Sequence, residues 1–408
     1  MFVLVFNGGS SSLKAQLYGI PNGTLSASPL PPVWEARAGW VRRAGTADIQ
    51  IRTNRGVRDE TFSVSSPGDV LPPVLESLVS GPRAVIGNAS EIAIAGHRIV
   101  HGGRTFSAPA LISEQVCAEI HRLAEFAPEH HAFELQAIEA AQRFLGPDIP
   151  QLAVFDTAFH ATLPEQAFVY PGPYSWIDEG IRRYGFHGIS HGYTSRRAAQ
   201  ILGRNPHELH LVTCHLGNGA SLAAIRQGAS VDTTMGFTPL EGLMMGTRSG
   251  SIDPGIVTYL IRHYGHSADE VGRLLNKESG LKGLSGLSAD MREISEAFTR
   301  GDKQAKLAID VYVHRLCREI GGMLASLDRL DALVFTGGVG ENSAMIRERV
   351  CTRLQWLGLE IDRTANLIDE KDRDVATSAS PVRIVVVRTE EEWQIARECH
   401  KLLIDARS

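Results

Sequence analysis

The sequence predicts an α/β protein of two domains whose sheets are largely parallel. Strand-like apolar runs alternate with helical periodicity after about residue 90, the pattern of strand–helix–strand units. The chain has 408 residues, more than one hydrophobic core commonly serves. Two strand–turn–strand patterns about 210 residues apart also resemble each other, which predicts two related halves unless chance explains so short a likeness.

The spacing of apolar residues predicts the individual elements. Apolar runs of strand length predict strands at residues 2–6, 15–18, 92–100, 152–155, 210–215, 220–225, 332–335 and 383–387. Apolar residues three and four positions apart predict helices at residues 113–126, 134–144, 193–202, 305–327 and 344–357. Residues 21–80 are rich in Pro, Gly and Ser and predict short strands and loops, and residues 171–179 predict a loop.

Composition excludes several classes of protein. The formal charge is −5, from 41 basic and 46 acidic residues, so nucleic acid is not an expected partner. The five cysteines form no C-x-x-C pair, which argues against a zinc site or disulfide framework and for a reducing compartment. The N-terminus lacks the basic region of a signal peptide, and no stretch reaches the roughly 18 apolar residues of a membrane span. A soluble, cytoplasmic protein without a membrane partner is expected.

Three glycine-rich turns that follow predicted strands are candidate phosphate sites. They are Asn7-Gly-Gly-Ser-Ser-Ser, Leu216-Gly-Asn-Gly and Thr336-Gly-Gly-Val-Gly-Glu-Asn. Glycines let backbone N–H groups approach an anion, and Ser and Asn side chains add donors. An ordinary hairpin explains the first turn equally well, because Asn-Gly is a common hairpin signal. Neither G-x-x-x-x-G-K-[ST] nor G-x-G-x-x-G occurs in the sequence.

Charged and polar side chains at strand ends are candidates for catalysis. Arg98 lies near the end of an apolar strand and needs an anion or a carboxylate, so a structural salt bridge is the alternative. Asp156 ends another apolar strand, where open α/β sheets place functional groups; a turn or capping role is its alternative. His187 and His191 are four positions apart, and hydrogen bonding to substrate or phosphate is favoured over metal ligation because no Glu lies between them.

Two further stretches combine charge with an irregular backbone. Residues 232–255 contain several glycines and two prolines, which forbid a regular helix, yet the stretch is too apolar for a solvated loop. It carries Arg248 on a Gly-Thr-Arg-Ser-Gly turn, and a guanidinium there suits a transferring phosphoryl group. Glu390, Glu391 and Glu392 follow the last predicted strand. The start of a helix explains acidic residues there, and one of them could instead hold Mg²⁺.

Together these motifs resemble the acetate kinase family, within the acetate and sugar kinase/Hsp70/actin superfamily, from residue 3 to about residue 397. The resemblance is weakest over residues 21–80. The matching motifs, in chain order, are Asn-x-Gly-Ser-Ser-Ser-Leu-Lys, His-Arg-x-Val-His-Gly-Gly, Phe-Asp-Thr-Ala-Phe-His, Arg-Arg-Tyr-Gly-Phe-His-Gly-x-Ser-His, His-Leu-Gly-Asn-Gly-Ala-Ser, Met-Gly-Phe-Thr-Pro-Leu-Glu-Gly and Gly-Glu-Asn-Ser.

The resemblance implies a two-domain actin-like ATPase (ribonuclease H-like) fold with the active site in the interdomain cleft. One domain would hold residues 1–157 and a C-terminal helix at residues 392–408, and the other would hold residues 158–391. The implied catalytic residues are Asp156, Arg98, Arg248 and His187. The implied substrate contacts are Arg98, His130, Val100, Phe186 and Pro239. The implied ATP contacts are Lys14, His215, Leu216, Gly217, Asn218, Gly219, Gly338, Val339, Gly340, Glu341 and Asn342. The implied ligands of Mg²⁺ or Mn²⁺ are Asn7 and Glu391.

Three departures from the family's pattern bear on the substrate more than on the phosphoryl chemistry. Glu129 stands where a leucine of the acyl pocket is usual, which predicts a more polar or reshaped pocket. Ser251 replaces a usual Asp, and Arg388 replaces a usual Pro. The choice of Glu391 over Glu390 as the metal ligand depends on the alignment around Arg388.

The resemblance implies reversible, Mg-assisted, in-line phosphoryl transfer between ATP and acetate, giving acetyl phosphate and ADP, in a homodimer. A carboxylate nucleophile is already ionised at pH 7, so the reaction needs no general base. It needs alignment of two anions and neutralisation of charge. A propionate or other short-chain carboxylate kinase is the alternative within the family. An ATP-driven conformational switch is the alternative within the superfamily, but it would not need two arginines at an acceptor site.

Overall fold

The computed structural model describes residues 1–9, 12–40, 45–125 and 128–405, without the side chains of residues 22, 125, 128 and 129. Contacts between Cα atoms divide the chain into two compact units. Unit 1 comprises Met1–Ala158 and Glu390–Ser408, and unit 2 comprises Phe159–Thr389. These limits differ from the expected domain limits by one or two residues, and the difference assigns Glu391 to unit 1.

Unit 1 contains a sheet that has eight strands within the described residues, in the order β5-β4-β3-β2-β1-β6-β8-β7. Strands β1 to β5 pair antiparallel in sequence, whereas β6 is parallel to both β1 and β8. The elements are β1 (Phe2–Gly8), β2 (Ser12–Gly19), β3 (Trp34–Gly39), β4 (Thr46–Thr53), β5 (Gly56–Ser63), α1 (Leu71–Val79), β6 (Ile92–Ile99), β7 (Ala110–Leu111), α2 (Glu114–Arg122), α3 (Pro128–Leu145), β8 (Gln151–Phe155) and the C-terminal helix (Glu391–Asp405).

Unit 2 contains a sheet that has six strands within the described residues, in the order β11-β10-β9-β12-β14-β13. The strands are β9 (His210–Leu216), β10 (Ala220–Arg226), β11 (Ala229–Thr233), β12 (Ala332–Thr336), β13 (Arg373–Asp374) and β14 (Arg383–Val386). The helices are α4 (Glu165–Phe168), α5 (Ser175–Asp178), α6 (Gly188–Ile201), α7 (Pro254–Tyr264), α8 (Ala268–Lys277), α9 (Gly280–Ser285), α10 (Met291–Thr299), α11 (Lys303–Leu324), α12 (Gly337–Asn342), α13 (Ala344–Arg353) and α14 (Arg363–Leu367).

The two sheets share one topology, as the likeness between the two sequence patterns predicts. In unit 1 the strands β3-β2-β1 are antiparallel, and β1-β6-β8 are parallel. In unit 2 the strands β11-β10-β9 are antiparallel, and β9-β12-β14 are parallel. The first and second glycine-rich turns therefore connect equivalent strands of the two sheets.

The C-terminal helix packs on strands β1 and β6. Gly96 on β6 makes this close packing possible, because a Cβ atom there would lie 2.6 Å from both Cys399 Sγ and Ile395 Cγ2. Trp393 of the same helix is fully buried, with its ring 5.3 Å from that of Tyr18. This packing places the first turn of the helix, which begins at Glu391, beside the end of β1.

The predicted strands and helices are all present, with ends shifted by up to six residues; residue 126, the predicted end of the helix that begins at residue 113, lies outside the described residues. Residues 21–80 contain strands, as predicted, namely β3, β4 and β5 with six to eight residues each, and also the helix α1, which was not predicted. One prediction is wrong: residues 171–179 contain the helix α5 and not only a loop. The helices α7 to α10 were not predicted, and α7 buries none of its residues. No helix in the described part of the chain is long and apolar enough to cross a membrane.

Candidate active site

Arg98 and Asp156 form an ion pair at the carboxyl ends of two parallel strands. Arg98 is the penultimate residue of β6, and Asp156 directly follows β8. Arg98 Nη2 donates to Asp156 Oδ2 at 2.7 Å, and Nη1 donates to the carbonyl oxygen of Gly8 at 3.2 Å. Burial alone would lower the pKa of Arg98, but the carboxylates of Asp156 and Glu391 raise it, so the guanidinium stays charged. The salt bridge considered as an alternative for Arg98 is therefore present.

Asn7 and Lys14 hold two carboxylates of the C-terminal helix. The amide nitrogen of Asn7 donates to Glu391 Oε2 at 3.0 Å and to Glu392 Oε1 at 2.9 Å. Lys14, which pairs with Asn7 across strands β1 and β2, donates from Nζ to Glu392 Oε2 at 2.8 Å. Asn7, Lys14 and Arg98 line a cavity of about 430 Å³ in unit 1. Ser10 and Ser11 of this turn lie outside the described residues.

The carboxyl group of Glu391 is the candidate cation ligand of unit 1. Burial raises the pKa of Glu391, and the negative charges of Asp156 and Glu392 raise it further, while Arg98 opposes the rise. A divalent cation stabilises carboxylates that are crowded in this way. Within the described part of the chain no three His, Cys, Asp or Glu side chains are placed to hold a metal by themselves. Mg²⁺, however, commonly uses one or two carboxylates together with phosphate oxygens and water.

A buried carboxyl group that the motifs did not identify lies behind Arg98. Glu134 of α3 accepts a hydrogen bond at Oε1 from the backbone N–H of Val100 at 3.0 Å. Its other oxygen lies 3.6 Å from Nδ1 of His131, which is also fully buried. Burial raises the pKa of Glu134 to about 8, although the charge of Arg98 and the Val100 hydrogen bond oppose the rise. Glu134 therefore fixes the backbone at Val100, and a neutral carboxyl group is favoured there at pH 7.

The second and third glycine-rich turns line one cavity in unit 2. Its volume is about 930 Å³, and small-molecule sites commonly span about 300–1,000 Å³. Gly337 has a φ of 77°, and a Cβ atom there would lie 2.9 Å from the carbonyl of Leu216, so glycine allows the two turns to touch. The cavity is lined by Gly217, Asn218, Leu281, Ala289, Asp290, Met291, Arg292, Ser295, Gly338, Val339, Asn342, Ser343, Ala344 and Met345.

Five of the expected ATP contacts line this cavity, namely Gly217, Asn218, Gly338, Val339 and Asn342. The expected contacts that do not line it are His215, Leu216, Gly219, Gly340 and Glu341 in unit 2 and Lys14 in unit 1. Oε1 of Glu341 accepts from the backbone N–H groups of Gly337 at 3.0 Å and Thr389 at 2.9 Å. That oxygen therefore stabilises the turn around the cavity.

Arg248 and His187 lie beside the second turn. A Cβ atom on Gly219 would lie 3.4 Å from both Arg248 Nη1 and His187 Nε2, so the two side chains flank one position. Arg248 is oriented by the carbonyl oxygen of Pro239, which accepts from Nη1 at 3.1 Å. His187 precedes α6 with a φ of 56°, an uncommon conformation for a residue with a side chain. Both side chains therefore lie beside Gly219, the residue that follows Asn218 of the cavity lining.

Hydrogen bonds between histidines and hydroxyl groups support His187. The hydroxyl of Ser221 lies 2.9 Å from His187 Nδ1 and 2.8 Å from His191 Nε2. The other ring nitrogen of His191 lies 2.7 Å from Thr213 Oγ1. Burial lowers the pKa of His191 well below its usual value, and His160 and His215 add to this. Both nitrogens of His191 are thus engaged with protein hydroxyl groups, so within this pair hydrogen bonding to a substrate or phosphate stays a prediction for His187. The ring of His187 also stacks on that of His215, with centroids 4.2 Å apart.

The residues expected around the acyl group are distributed over both units. Val100 and His130 belong to unit 1, and Phe186 and Pro239 belong to unit 2. Val100 and Phe186 are buried. The backbone of Val100 is held by Glu134, and the carbonyl of Phe186 accepts from His160 Nε2 at 3.0 Å. The Glu129 side chain lies outside the described residues.

Sequence reasoning missed the cavity residues contributed by helices α9, α10 and α13. The run Asp290-Met291-Arg292 at the start of α10 is the main contribution, and Arg292 Nη2 donates to Asp290 Oδ2 at 2.5 Å. An Asp at the N-cap followed by helical periodicity could have revealed α10. No feature of the sequence around α10 indicates that this helix lines the same cavity as the second and third glycine-rich turns, which lie about 70 residues before it and about 50 residues after it.

The whole chain is similar to one group of kinases. The acetokinase family pattern matches residues 2–397. Acetate kinases of Gloeobacter violaceus and a Nostoc species are each 51% identical to the chain, with 98% and 99% of the chain aligned to 98% and 100% of the relative. A Porphyromonas gingivalis acetate kinase structure matches with a TM-score of 0.90 at 37% identity, covering 98% of this chain and 99% of that one. A Francisella tularensis propionate kinase matches with a TM-score of 0.88 at 37% identity, covering 97% and 98%.

Proposed function

The chain belongs to the acetokinase family, and we propose that it transfers the γ-phosphoryl group of ATP reversibly to acetate, giving acetyl phosphate and ADP. One observation carries this proposal: the guanidinium of Arg248 and the imidazole of His187 lie beside the turn that lines a nucleotide-sized cavity in unit 2. The cavity is lined by Gly217 and Asn218, and Arg248 and His187 flank the next residue, Gly219. Phosphates bound by the turn would place the terminal phosphoryl group near both side chains.

Positioning and charge neutralisation account for the catalysis. Acetate is ionised at pH 7 and can attack the phosphorus in line without a general base. Arg248 and His187 would neutralise charge on the phosphoryl oxygens in the transition state. Arg98, held by Asp156 at 2.7 Å, would bind the carboxylate or the same phosphoryl group. The backbone bonds to Gly8 and Pro239 fix both guanidinium groups before the reaction, which reduces the cost of orientation.

Mg²⁺, or Mn²⁺ in its place, fits the carboxylate side of unit 1. Glu391 would be a ligand, Asn7 would hold it in place, and Asp156 would add negative charge nearby. The oxygen donors and the raised pKa of Glu391 suit a hard cation. When bound, the cation would neutralise charge on the nucleotide phosphates. The residues present therefore fit the cofactor that the family resemblance implies.

A hydroxylamine trap tests the proposed reaction. With ATP, Mg²⁺ and acetate the protein should accumulate acetyl hydroxamate, and without acetate it should not. A panel of acetate, propionate and butyrate, followed by ADP release, separates acetate from the alternative, propionate, which the similarity to a propionate kinase structure supports. ADP release at equal rates with and without a carboxylate would contradict the proposal and favour a conformational ATPase.

A double-mutant cycle tests whether Arg98 and Arg248 act on one transition state. The variants are Arg98→Lys, Arg248→Lys and the double variant. Groups that act as a unit give strongly non-additive losses in kcat/KM. Additive losses, with each variant affecting a different step, would separate the two arginines.

We further propose a homodimer in a reducing, cytoplasmic compartment. Helix α7, whose residues are all described, buries none of them and exposes Ile256, Tyr259, Ile261 and Tyr264. The ring of Tyr259 stacks on His263 at 4.9 Å and meets Tyr264 at 5.8 Å, so the aromatic surface is continuous. A second copy of the chain would cover this surface. The cysteines Cys117, Cys214, Cys317, Cys351 and Cys399 are free thiols, in keeping with a reducing environment.

Light scattering after size-exclusion chromatography tests the dimer. The wild type should show about twice the chain mass of 44.4 kDa, and Tyr259→Glu should shift it toward the monomer. Leu307→Glu, at another exposed apolar residue, is the control. A monomeric wild type would contradict the proposal.

A further inference from the structure

The position of Pro239 and Arg248 depends on an irregular segment of unit 2. Residues 234–253, between β11 and α7, contain no helix or strand, yet Met235, Leu243 and Met245 within the segment are buried. Backbone N–H and C=O groups in such a segment need partners outside regular structure. The contacts that hold this segment therefore determine the positions of Pro239 and Arg248.

Three side chains supply those contacts at the start of the segment. Arg183 Nη1 donates to the carbonyl oxygens of Thr234 at 3.0 Å and Met235 at 3.1 Å, and Arg183 Nη2 donates to Glu241 Oε1 at 2.7 Å. The Tyr170 hydroxyl donates to Glu241 Oε2 and accepts from the backbone N–H of Phe237 at 2.9 Å. Tyr170, Arg183 and Glu241 are called the clamp below.

The backbone is pressed closely against the clamp. A Cβ atom on Gly236 would lie 1.8 Å from Glu241 Oε2 and 2.0 Å from the Tyr170 hydroxyl, so any other residue there would displace these two side chains. The carbonyl of Gly236 accepts from the backbone N–H of Tyr184 at 3.1 Å, which ties the segment to the stretch that carries His187. The clamp thus determines the path of the chain just before Pro239.

Near neutral pH, Arg183 of the clamp stays charged and Tyr170 stays protonated. Burial alone would lower the pKa of Arg183, but Glu241 and Tyr170 raise it. Burial raises the pKa of Tyr170, and Glu241 adds to this, so the phenol keeps its proton and donates to the carboxylate. The side chains of Arg183 and Glu241 are 16% and 34% exposed. The pair is therefore partly shielded from the solvent that weakens surface ion pairs.

We propose that Tyr170, Arg183 and Glu241 are positioning residues that determine the size of carboxylate the enzyme accepts. The proposal rests on the carboxylate kinase activity proposed above and deepens it. The clamp holds the backbone just before Pro239, which the family resemblance places at the acyl group, and the Pro239 carbonyl in turn accepts a hydrogen bond from Arg248. None of the clamp residues lines the 930 Å³ cavity. A change in the clamp should therefore affect the carboxylate and leave ATP binding almost unchanged.

The test compares Glu241→Gln and Tyr170→Phe with the wild type. Each variant keeps the side-chain shape and removes one or two hydrogen bonds of the clamp. We expect KM for acetate to rise about 10-fold, because small displacements of positioned groups cost up to about 100-fold. We expect KM for ATP to change less than about twofold. The ratio of kcat/KM for propionate to kcat/KM for acetate should rise at least about threefold, which is within the discrimination that one methylene group typically provides.

The matched control is Asp310→Asn in α11. The Asp310 carboxylate is 33% exposed and pairs with Lys306 and Arg349, so it is a comparable ion pair remote from the 234–253 segment. A merely structural clamp would lower the melting temperature and the active fraction equally for every substrate. An unchanged propionate-to-acetate ratio in either folded clamp variant would overturn the proposal. A wild type that forms no acyl hydroxamate would instead overturn the proposed function.

Discussion

Replacing Glu134 with Gln should change stability in a pH-dependent way. The stability of the variant minus that of the wild type should increase as the pH rises. Glu134 is 3% exposed, and Oε2 has no hydrogen-bond partner among the described residues. Gln keeps the acceptor for the Val100 N–H and removes the group that burial makes hard to ionise. The nearby histidines His101 and His131 stay neutral across the range of the test, because burial lowers their pKa to about 3 and about 4.

The size of the effect follows from the pKa of Glu134. Burial raises it from an ordinary 4.5 to about 8. Because the folded pKa is the higher one, the favourable contribution is fully present below pH 4.5 and is lost as pH rises through 8. At about 1.4 kcal/mol per pH unit, the loss between pH 5 and pH 8.5 is about 4 kcal/mol. For a domain of this size that corresponds to roughly 8–16 °C in melting temperature.

Melting temperatures of wild type and Glu134→Gln should be measured at pH 5, 7 and 8.5. The readout is the difference in melting temperature between the two proteins, followed as a function of pH. A destabilisation by the amide that does not depend on pH shifts this difference equally at every pH and therefore does not affect the trend. We expect the difference to move in favour of Gln by at least about 5 °C between pH 5 and pH 8.5. Glu139→Gln, on the same helix with 69% of the Glu139 side chain exposed, shows the effect of removing a charge without removing a buried carboxyl group. A difference that is the same at all three pH values would refute the reasoning.

Three further predictions concern the proposed site. Arg248→Ala should lower kcat at least ~100-fold, as loss of a pre-organised charge donor does, and near-normal turnover would exclude Arg248 from the mechanism. Glu391→Gln should raise the Mg²⁺ concentration for half-maximal rate at least about 10-fold, and an unchanged Mg²⁺ titration would exclude Glu391 as a ligand. Gly246→Ala would place a Cβ atom 2.2 Å from Asn218 Oδ1 and so displace this side chain. KM for ATP should therefore rise about 10-fold by loss of a positioned contact, while KM for acetate stays constant. A rise in KM for acetate alone would contradict the nucleotide assignment.

The parts of the molecule that local sequence determines were predicted well. The acetate kinase resemblance is confirmed by the family match, and the two-domain actin-like fold class is confirmed by the close structural matches. Arg98 and Asp156 are conspicuous in the sequence because each is a charged residue at the end of an apolar strand, and parallel pairing brings such ends together; their catalytic roles stay a prediction. The glycine-rich turns were found because their composition is itself the signal.

The remaining parts depend on contacts distant in sequence. Glu134 looks like an ordinary polar residue of an amphipathic helix, and only the packing of α3 on β6 buries it. The clamp joins Tyr170, Arg183 and Glu241 across 71 residues of chain, and each is unremarkable in its own stretch. Helix α7 exposes Ile256, Tyr259, Ile261 and Tyr264, so the apolar residues of this helix do not mark a buried face of unit 2.

The two equivalent hairpins suit different parts of the proposed reaction, although their composition predicts phosphate binding for both. In unit 2 the turn Gly217–Gly219 opens onto a nucleotide-sized cavity. Among the described residues that line this cavity, Asp290 is the one acidic residue. In unit 1 the side chains that flank the turn, Asn7 and Lys14, are engaged by the carboxylates of Glu391 and Glu392. Carboxylates repel phosphate unless a cation lies between them. The same strand–turn–strand unit therefore suits the cation in one half and the nucleotide in the other, and the difference follows from a helix that begins with acidic residues packing on only one of the two sheets.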